Sequence, residues 1–232
     1  MKKLYILKVG ITFSDIMKEY GDFDDWICSF VQNEEIEVID VLNNEELPQT
    51  ENVLGVIITG SHAMVTQELA WSLKVETYIQ QLIKEAIPLL GICYGHQLLA
   101  KAMGGKVDFH PKGMELGSVE VCACKEARRD ALFQNLSQKF YVHVVHAQSV
   151  LELPKDALLL ASNAFEKHHA FRLGDCAWGV QFHPEYNKNV MDAYIKEIQK
   201  ETPEAPFYAT KETSEANTLL SLFAQYAKEY NA

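Results

Sequence analysis

Short apolar runs alternate with longer segments of helical periodicity through the first part of the chain. Four of these runs predict buried strands, at residues 4–9, 37–41, 53–58 and 87–92. Apolar positions recur at helical spacing in residues 69–86, and a second helix is predicted from just after Cys93 to Gly104-Gly105. Strands that alternate with helices in this way are typical of an α/β fold with a parallel sheet.

The pattern changes further along the chain, where shorter runs predict strands that pair mostly antiparallel. These runs cover residues 118–124, 140–146, 157–161, 169–172 and 177–182. A short surface helix is predicted at 128–136, and helices at 190–200 and 214–230 follow the last strand. We expect one domain over residues 1–232, with the helix at 214–230 packed against it.

The composition is that of a soluble globular protein, with 48% hydrophobic and 23% charged residues among 232. A net charge of -11 argues against nucleic acid or an anionic membrane surface as a partner. No apolar run approaches the roughly 20 residues that span a bilayer. The five scattered cysteines favour a reducing cytoplasm over a disulfide framework. We expect no metal site, since His168 and His169 would face opposite sides of a strand and nothing completes a ligand set around them.

Cys93 lies between Gly91 and Gly95, at the predicted junction of a buried strand and a helix. The glycines leave room for a sharp turn that would present the sulfur at the carboxyl end of the strand, as in the nucleophile elbow of hydrolases. The helix N-terminus favours the thiolate, and the backbone N–H of Tyr94 would point toward a developing oxyanion. The alternative, a small buried apolar side chain, is our interpretation of the remaining cysteines.

His183 and Glu185 flank Pro184 within the segment 179–185. Proline favours an extended conformation at the residue before it, and in extended backbone side chains two apart point the same way. Glu185 would therefore hold the imidazole of His183 in the tautomer that accepts a proton from sulfur. Cys93, His183 and Glu185 together predict a catalytic triad for thiol-mediated acyl transfer.

A second oxyanion donor is predicted at Gly60, where the strand at 53–58 leads into Thr59-Gly60-Ser61-His62. Ligands bind at the carboxyl edge of parallel sheets, and glycine lets the backbone approach a substrate closely. The alternative is that Gly60 only makes a turn.

Residues 91–97 with Gly104-Gly105, and residues 179–185, resemble the hallmark motifs of the class I (triad) glutamine amidotransferases, which include the glutaminase domain of GMP synthetase. The resemblance implies a doubly wound, mostly parallel, flavodoxin-like sheet flanked by helices, with a smaller antiparallel sheet. It also implies substrate contacts from Gln97 and His146, and a reaction that needs no metal or other cofactor.

Two segments depart from the amidotransferase pattern. The loop at 59–62 replaces a Gly-Gly-Pro-like loop and is similar to that of γ-glutamyl peptidases, which share the fold, so Ser61 is a further candidate for substrate binding. Residues 145–149 match a Ser-His-Gly-Asp-like segment of GMP synthetases only in part. About 45 residues follow Glu185, too few for an ATP-using synthetase domain, so delivery of ammonia to an acceptor would require a separate synthetase subunit.

Three hypotheses follow for a chain that binds a small molecule. The leading one is a glutaminase that hydrolyses the γ-amide of glutamine to glutamate and ammonia through a thioester on Cys93. The first alternative is a γ-glutamyl peptidase acting on glutathione-like compounds, which the loop at 59–62 favours. The second alternative is a non-catalytic regulatory subunit, which the complete triad disfavours.

Overall fold

The computed structural model describes residues 2–31 and 35–230, arranged around a nine-stranded sheet with a separate two-stranded sheet. The strands are β1 Lys3–Lys8, β2 Ile36–Asp40, β3 Val53–Ile58, β4 Leu89–Ile92, β5 Lys106–Phe109, β6 Glu115–Ala123, β7 Lys139–His146, β8 Gln148–Glu152, β9 Leu158–Ser162, β10 Ala170–Leu173 and β11 Ala177–Val180. The helices are α1 Ser14–Tyr20, α2 Phe23–Phe30, α3 Ala70–Lys84, α4 Tyr94–Ala102, α5 Lys188–Glu201 and α6 Ser214–Tyr230.

The large sheet is parallel on one side and antiparallel on the other. Its order is β2-β1-β3-β4-β11-β10-β9-β6-β7. Pairing is parallel from β2 to β11 and antiparallel from β11 to β7. The predicted α/β fold is thus confirmed, and the strands expected to be antiparallel extend the main sheet. The smaller antiparallel sheet that the resemblance implies is confirmed as well; it consists of β5 and β8, two strands for which the apolar pattern gave no prediction.

Helices cover both faces of the parallel strands, which explains the unbroken apolar runs in the sequence. In β1, Leu4 and Ile6 pack into the core formed with α2 and α6, while Tyr5 and Leu7 pack into the core formed with α3 and α4. Side chains alternate between the two faces of a strand, so a strand buried on both sides needs apolar residues at every position. Helix α6 contacts β3 and β7.

The surface helix predicted at 128–136 is wrong. A 3-10 helix spans Lys125–Arg129 and turns follow it. The cause is the buried carboxylate of Asp130, which accepts hydrogen bonds from the backbone N–H groups of Leu132 and Phe133 and from the indole of Trp178. Asp130 itself has an extended backbone, with φ of -88° and ψ of 138°, and ends the 3-10 helix, so one continuous helix cannot pass through this position.

Helices α1 and α2 were not predicted, although α2 carries a start signal. Asp22 and Asp25 form a reciprocal capping box at its N-terminus. Phe23, Trp26 and Ile27 recur at helical spacing and are buried. Within residues 2–31 and 35–230, no helix is long and apolar enough to cross a membrane.

Candidate active site

Cys93 occupies a strained turn between β4 and α4. Its φ and ψ of 49° and -94° lie outside the regions that side-chain-bearing residues favour. The turn is held from both sides, because the backbone N–H of Cys93 donates to Val180 O at 2.8 Å and the N–H of Gln97 donates to Cys93 O at 3.1 Å. A strained cysteine between strand and helix is the geometry expected of a nucleophile elbow.

The two glycines beside Cys93 allow α4 to pack closely against the sheet. A Cβ at Gly91 would overlap the backbone of Gly95, and a Cβ at Gly95 would lie 2.6 Å from Ile58 O. Any larger residue would push the helix away from β4 and β3. The Gly-x-Cys-x-Gly spacing is therefore required by backbone packing around the cysteine.

His183 and Glu185 form a buried hydrogen-bonded pair just beyond the end of β11. The distance between His183 Nδ1 and Glu185 Oε1 is 2.7 Å, and both side chains are almost fully buried. The backbone N–H of His183 donates to His143 O, and the ring stacks on Tyr186 with centroids 4.2 Å apart. The imidazole thus has a fixed position and a carboxylate partner, as the sequence predicted.

The electrostatics of the pair favour the protonated imidazole. Burial alone would lower the pKa of His183, but the Glu185 carboxylate and the Cys93 side chain raise it to about 10. His183 Nε2 makes no well-aligned hydrogen bond within the described part of the chain. Catalytic hydrogen bonds are often long before substrate binds. The arrangement suits an imidazolium next to a thiolate.

The two predicted oxyanion donors lie near the proposed reacting residues, since Tyr94 directly follows Cys93 and Gly60 faces the His183 ring. A Cβ added at Gly60 would come within 2.9 Å of His183 Cε1, so only glycine leaves room for the ring at this position. Tyr94 is the first residue of α4, where a backbone N–H has no partner inside its own helix. The Tyr94 hydroxyl hydrogen-bonds with that of Ser72 at 2.7 Å, so its side chain serves packing.

A cavity of about 390 Å³ opens onto the sulfur, within the range of small-molecule sites. The predicted residues that line it are Ser61, Cys93, Tyr94, Gln97, His146 and His183. The structure therefore brings the separated sequence motifs together around one cavity.

Two of the predicted substrate-binding residues are already engaged with the protein. His146 contacts Gln148 O through Nδ1 and Glu115 through Nε2, at 3.0 and 3.1 Å. The amide nitrogen of Gln97 donates to Gln148 O and to Gln181. Their contact with a ligand would therefore use the remaining atoms of these side chains, and their role in substrate binding stays a prediction.

Several cavity residues were not singled out from the sequence. Phe13, His62 and Tyr194 form its wall on the His183 side, with the Phe13 and His62 rings 4.5 Å apart. Partial desolvation and the nearby His183 lower the pKa of His62, which keeps it neutral at pH 7. His62 stands within the 59–62 loop, so the departure of that loop from the amidotransferase pattern is a signal that could have identified it.

The described residues contain no group of three or more histidine, cysteine, aspartate or glutamate side chains placed to hold a metal ion. The fold and the site define a class of α/β protein with a cysteine at a strand-to-helix turn and a histidine–carboxylate pair beside it. Residues 16–199 match the family model "Glutamine amidotransferase class-I". The chain belongs to this family.

Known proteins similar to the chain include two functional kinds. It is 30% identical to γ-glutamyl peptidase 4 of Arabidopsis thaliana, over 85% of this chain and 81% of that protein. It is 33% identical to a GMP synthase of Aeropyrum pernix, over 65% of this chain but 28% of that protein. The solved structure of a glutamine amidotransferase from Methylobacillus flagellatus superposes with a TM-score of 0.76 at 20% identity, covering 100% of this chain and 94% of that one. This last likeness supports the fold.

Proposed function

We propose that the protein hydrolyses the γ-amide of glutamine to glutamate and ammonia through a thioester on Cys93. The observation that carries the proposal is the meeting of Cys93 with the buried His183–Glu185 pair at one cavity. A thiol, a base and a group that orients the base are the requirements of thiol-mediated acyl transfer. Membership of the class-I amidotransferase family supports glutamine as the amide.

In the proposed reaction the Cys93 proton has already passed to His183, which gives the thiolate–imidazolium pair before substrate reacts. The thiolate attacks the amide carbon, and the backbone N–H groups of Gly60 and Tyr94 stabilise the oxyanion. His183 returns the proton to the departing nitrogen, which leaves as ammonia and a γ-glutamyl thioester remains. His183 then takes a proton from water, whose oxygen attacks the thioester, and glutamate is released as the thiolate reforms. Glu185 stabilises the imidazolium in both halves.

A γ-glutamyl peptide is the second candidate substrate, and the cavity wall favours it. The leaving nitrogen receives its proton from His183, so whatever it carries must lie on the His183 side. There the wall is formed by Phe13, His62 and Tyr194, an aromatic surface that ammonia does not need. The γ-glutamyl peptidase 4 of Arabidopsis is also matched over most of both chains.

If glutamine is the substrate, the protein needs a partner that uses the ammonia and a compartment that keeps Cys93 reduced. In the GMP synthase of Aeropyrum pernix the matched region is 28% of a longer protein. We therefore infer that a separate synthetase subunit receives the ammonia when glutamine is the substrate. A thiolate nucleophile requires reducing conditions, which supports a cytoplasmic location.

The test measures glutamate released by the purified chain from glutamine and from glutathione in parallel, with Cys93→Ser as the control. Turnover of glutamine supports the first candidate, and faster turnover of glutathione supports the second. A glutamine-like diazo-ketone that alkylates nucleophilic thiols reports on the site independently. Absence of turnover and of Cys93 labelling would refute both candidates and leave the non-catalytic regulatory subunit.

A further inference from the structure

Two buried glutamines connect the wall of the cavity to the sulfur of Cys93. The Gln97 amide nitrogen lies 2.8 Å from the backbone oxygen of Gln148 and 3.0 Å from Gln181 Oε1. The Gln181 amide nitrogen lies 3.6 Å from Cys93 Sγ, within hydrogen-bond range for sulfur. Gln181 is 0% exposed and Gln97 is 4% exposed, so water does not compete for these bonds.

A backbone carbonyl fixes which way the side-chain amides of Gln97 and Gln181 are oriented. The carbonyl oxygen of Gln148 only accepts, so the Gln97 atom that faces it must be the NH₂ group. The second hydrogen of that NH₂ group requires an acceptor, which places the carbonyl oxygen of Gln181 toward Gln97. The NH₂ group of Gln181 must then point to the sulfur.

We propose that Gln181 is a hydrogen-bond donor to the reacting sulfur of Cys93 and that Gln97 is the positioning residue that aims it. This inference rests on the proposed role of Cys93 as nucleophile. The second contact of the sulfur is Val145 O at 3.8 Å, which accepts from a thiol and repels a thiolate. The Gln181 amide opposes that repulsion, because a hydrogen bond to a charged acceptor is stronger than one to a neutral acceptor.

The donor acts at two points of the reaction and transfers no proton itself. When the Cys93 proton moves to His183, the amide stabilises the sulfur anion that remains. When the thioester forms, the sulfur loses its charge and the hydrogen bond weakens. When water displaces the sulfur, the amide again stabilises the departing thiolate. Loss of Gln181 should therefore lower the fraction of thiolate available for acylation and slow the departure of the thiolate in deacylation.

The experiment follows alkylation of Cys93 by iodoacetamide as a function of pH, quantified by mass spectrometry of the peptide that contains it. Gln181→Met keeps a straight side chain of similar length and removes the donor. We expect the apparent thiol pKa to rise by about one to two pH units, the range for a hydrogen bond to a charged group. Gln80→Met is the matched control, since Gln80 donates to Ala102 O away from the cavity. Its profile should equal that of the parent.

Gln97→Met tests the positioning role separately. It should shift the profile in the same direction, and adding it to Gln181→Met should cause no further shift, because the two residues act through one bond to sulfur. An unchanged profile in Gln181→Met overturns the proposal, and if that variant does not fold, an unchanged profile in Gln97→Met overturns it. A parent protein whose Cys93 is unreactive at every pH refutes the proposed function itself, whereas a reactive parent with unchanged variants refutes the glutamine chain alone.

Discussion

Replacing Glu185 by glutamine tests the electrostatic basis of the site. The glutamine keeps the shape of the side chain and can still accept from His183 Nδ1, but it removes the charge. The pKa of His183 lies at about 10 instead of 6.5. At about 1.36 kcal/mol per pH unit, this shift favours the imidazolium by about 5 kcal/mol, the net result of Glu185 and Cys93 acting against the cost of burial. If Glu185 supplies about half, its neutralisation costs about 2–3 kcal/mol, or a roughly 30- to 150-fold loss in kcat/KM.

The assay is the pH profile of kcat/KM for glutamate release, with the exposed Glu212→Gln as a control that removes one charge elsewhere. Stability provides a second readout. The folded pKa of His183 is raised, so its contribution to stability is fully present below about pH 6.5 and is lost as pH rises toward 10. The difference in the free energy of unfolding between parent and Glu185→Gln should therefore shrink over that range. A variant with the parent's pH profile would refute the ion-pair reasoning.

Four further substitutions have distinct expected outcomes. Cys93→Ser should abolish turnover while thermal unfolding stays close to that of the parent, because serine fits the turn but offers no accessible anion; parental activity would contradict covalent catalysis. Gly60→Ala places a Cβ 2.9 Å from His183 Cε1, so we expect kcat to fall at least tenfold with a stability cost of about 1–3 kcal/mol, and unchanged kcat would show that the ring can move harmlessly. Asp130→Ala should lower the free energy of unfolding in urea by about 2–3 kcal/mol, since Arg172 and Trp178 lose a buried partner. Asp175→Ala, which removes an exposed partner of the same arginine, should cost less than about 1 kcal/mol, and equal losses would refute the role given to burial.

The sequence was sufficient where local signals and tertiary packing agree. The apolar runs at β1, β3 and β4 predicted buried parallel strands, and the glycines around Cys93 predicted the turn because their spacing reflects backbone contact within one strand–helix unit. Helix α2 also carries a local signal, the capping box formed by Asp22 and Asp25.

The remaining features depend on contacts between residues far apart in the chain. The helix predicted at 128–136 is interrupted at Asp130, whose carboxylate is held in the interior by Trp178 and Arg172. The bond from Gln181 to Cys93 likewise exists only once β11 lies beside β4. Neither contact has a local sequence signature. The motif around His183 therefore indicated a base, but it gave no sign that the Gln181 amide contacts the sulfur of Cys93.

The pairing of β4 with β11 has a consequence for the order of biosynthesis. Cys93 follows β4, while His183 follows β11 about 90 residues later. Chains emerge from the ribosome N-terminus first, so the growing polypeptide carries the thiol well before the imidazole that we propose as its base. On that proposal, the Cys93 thiol gains its base only when β11 joins the sheet. The rate of Cys93 alkylation, measured at successive times during refolding, would therefore report when β11 pairs with β4.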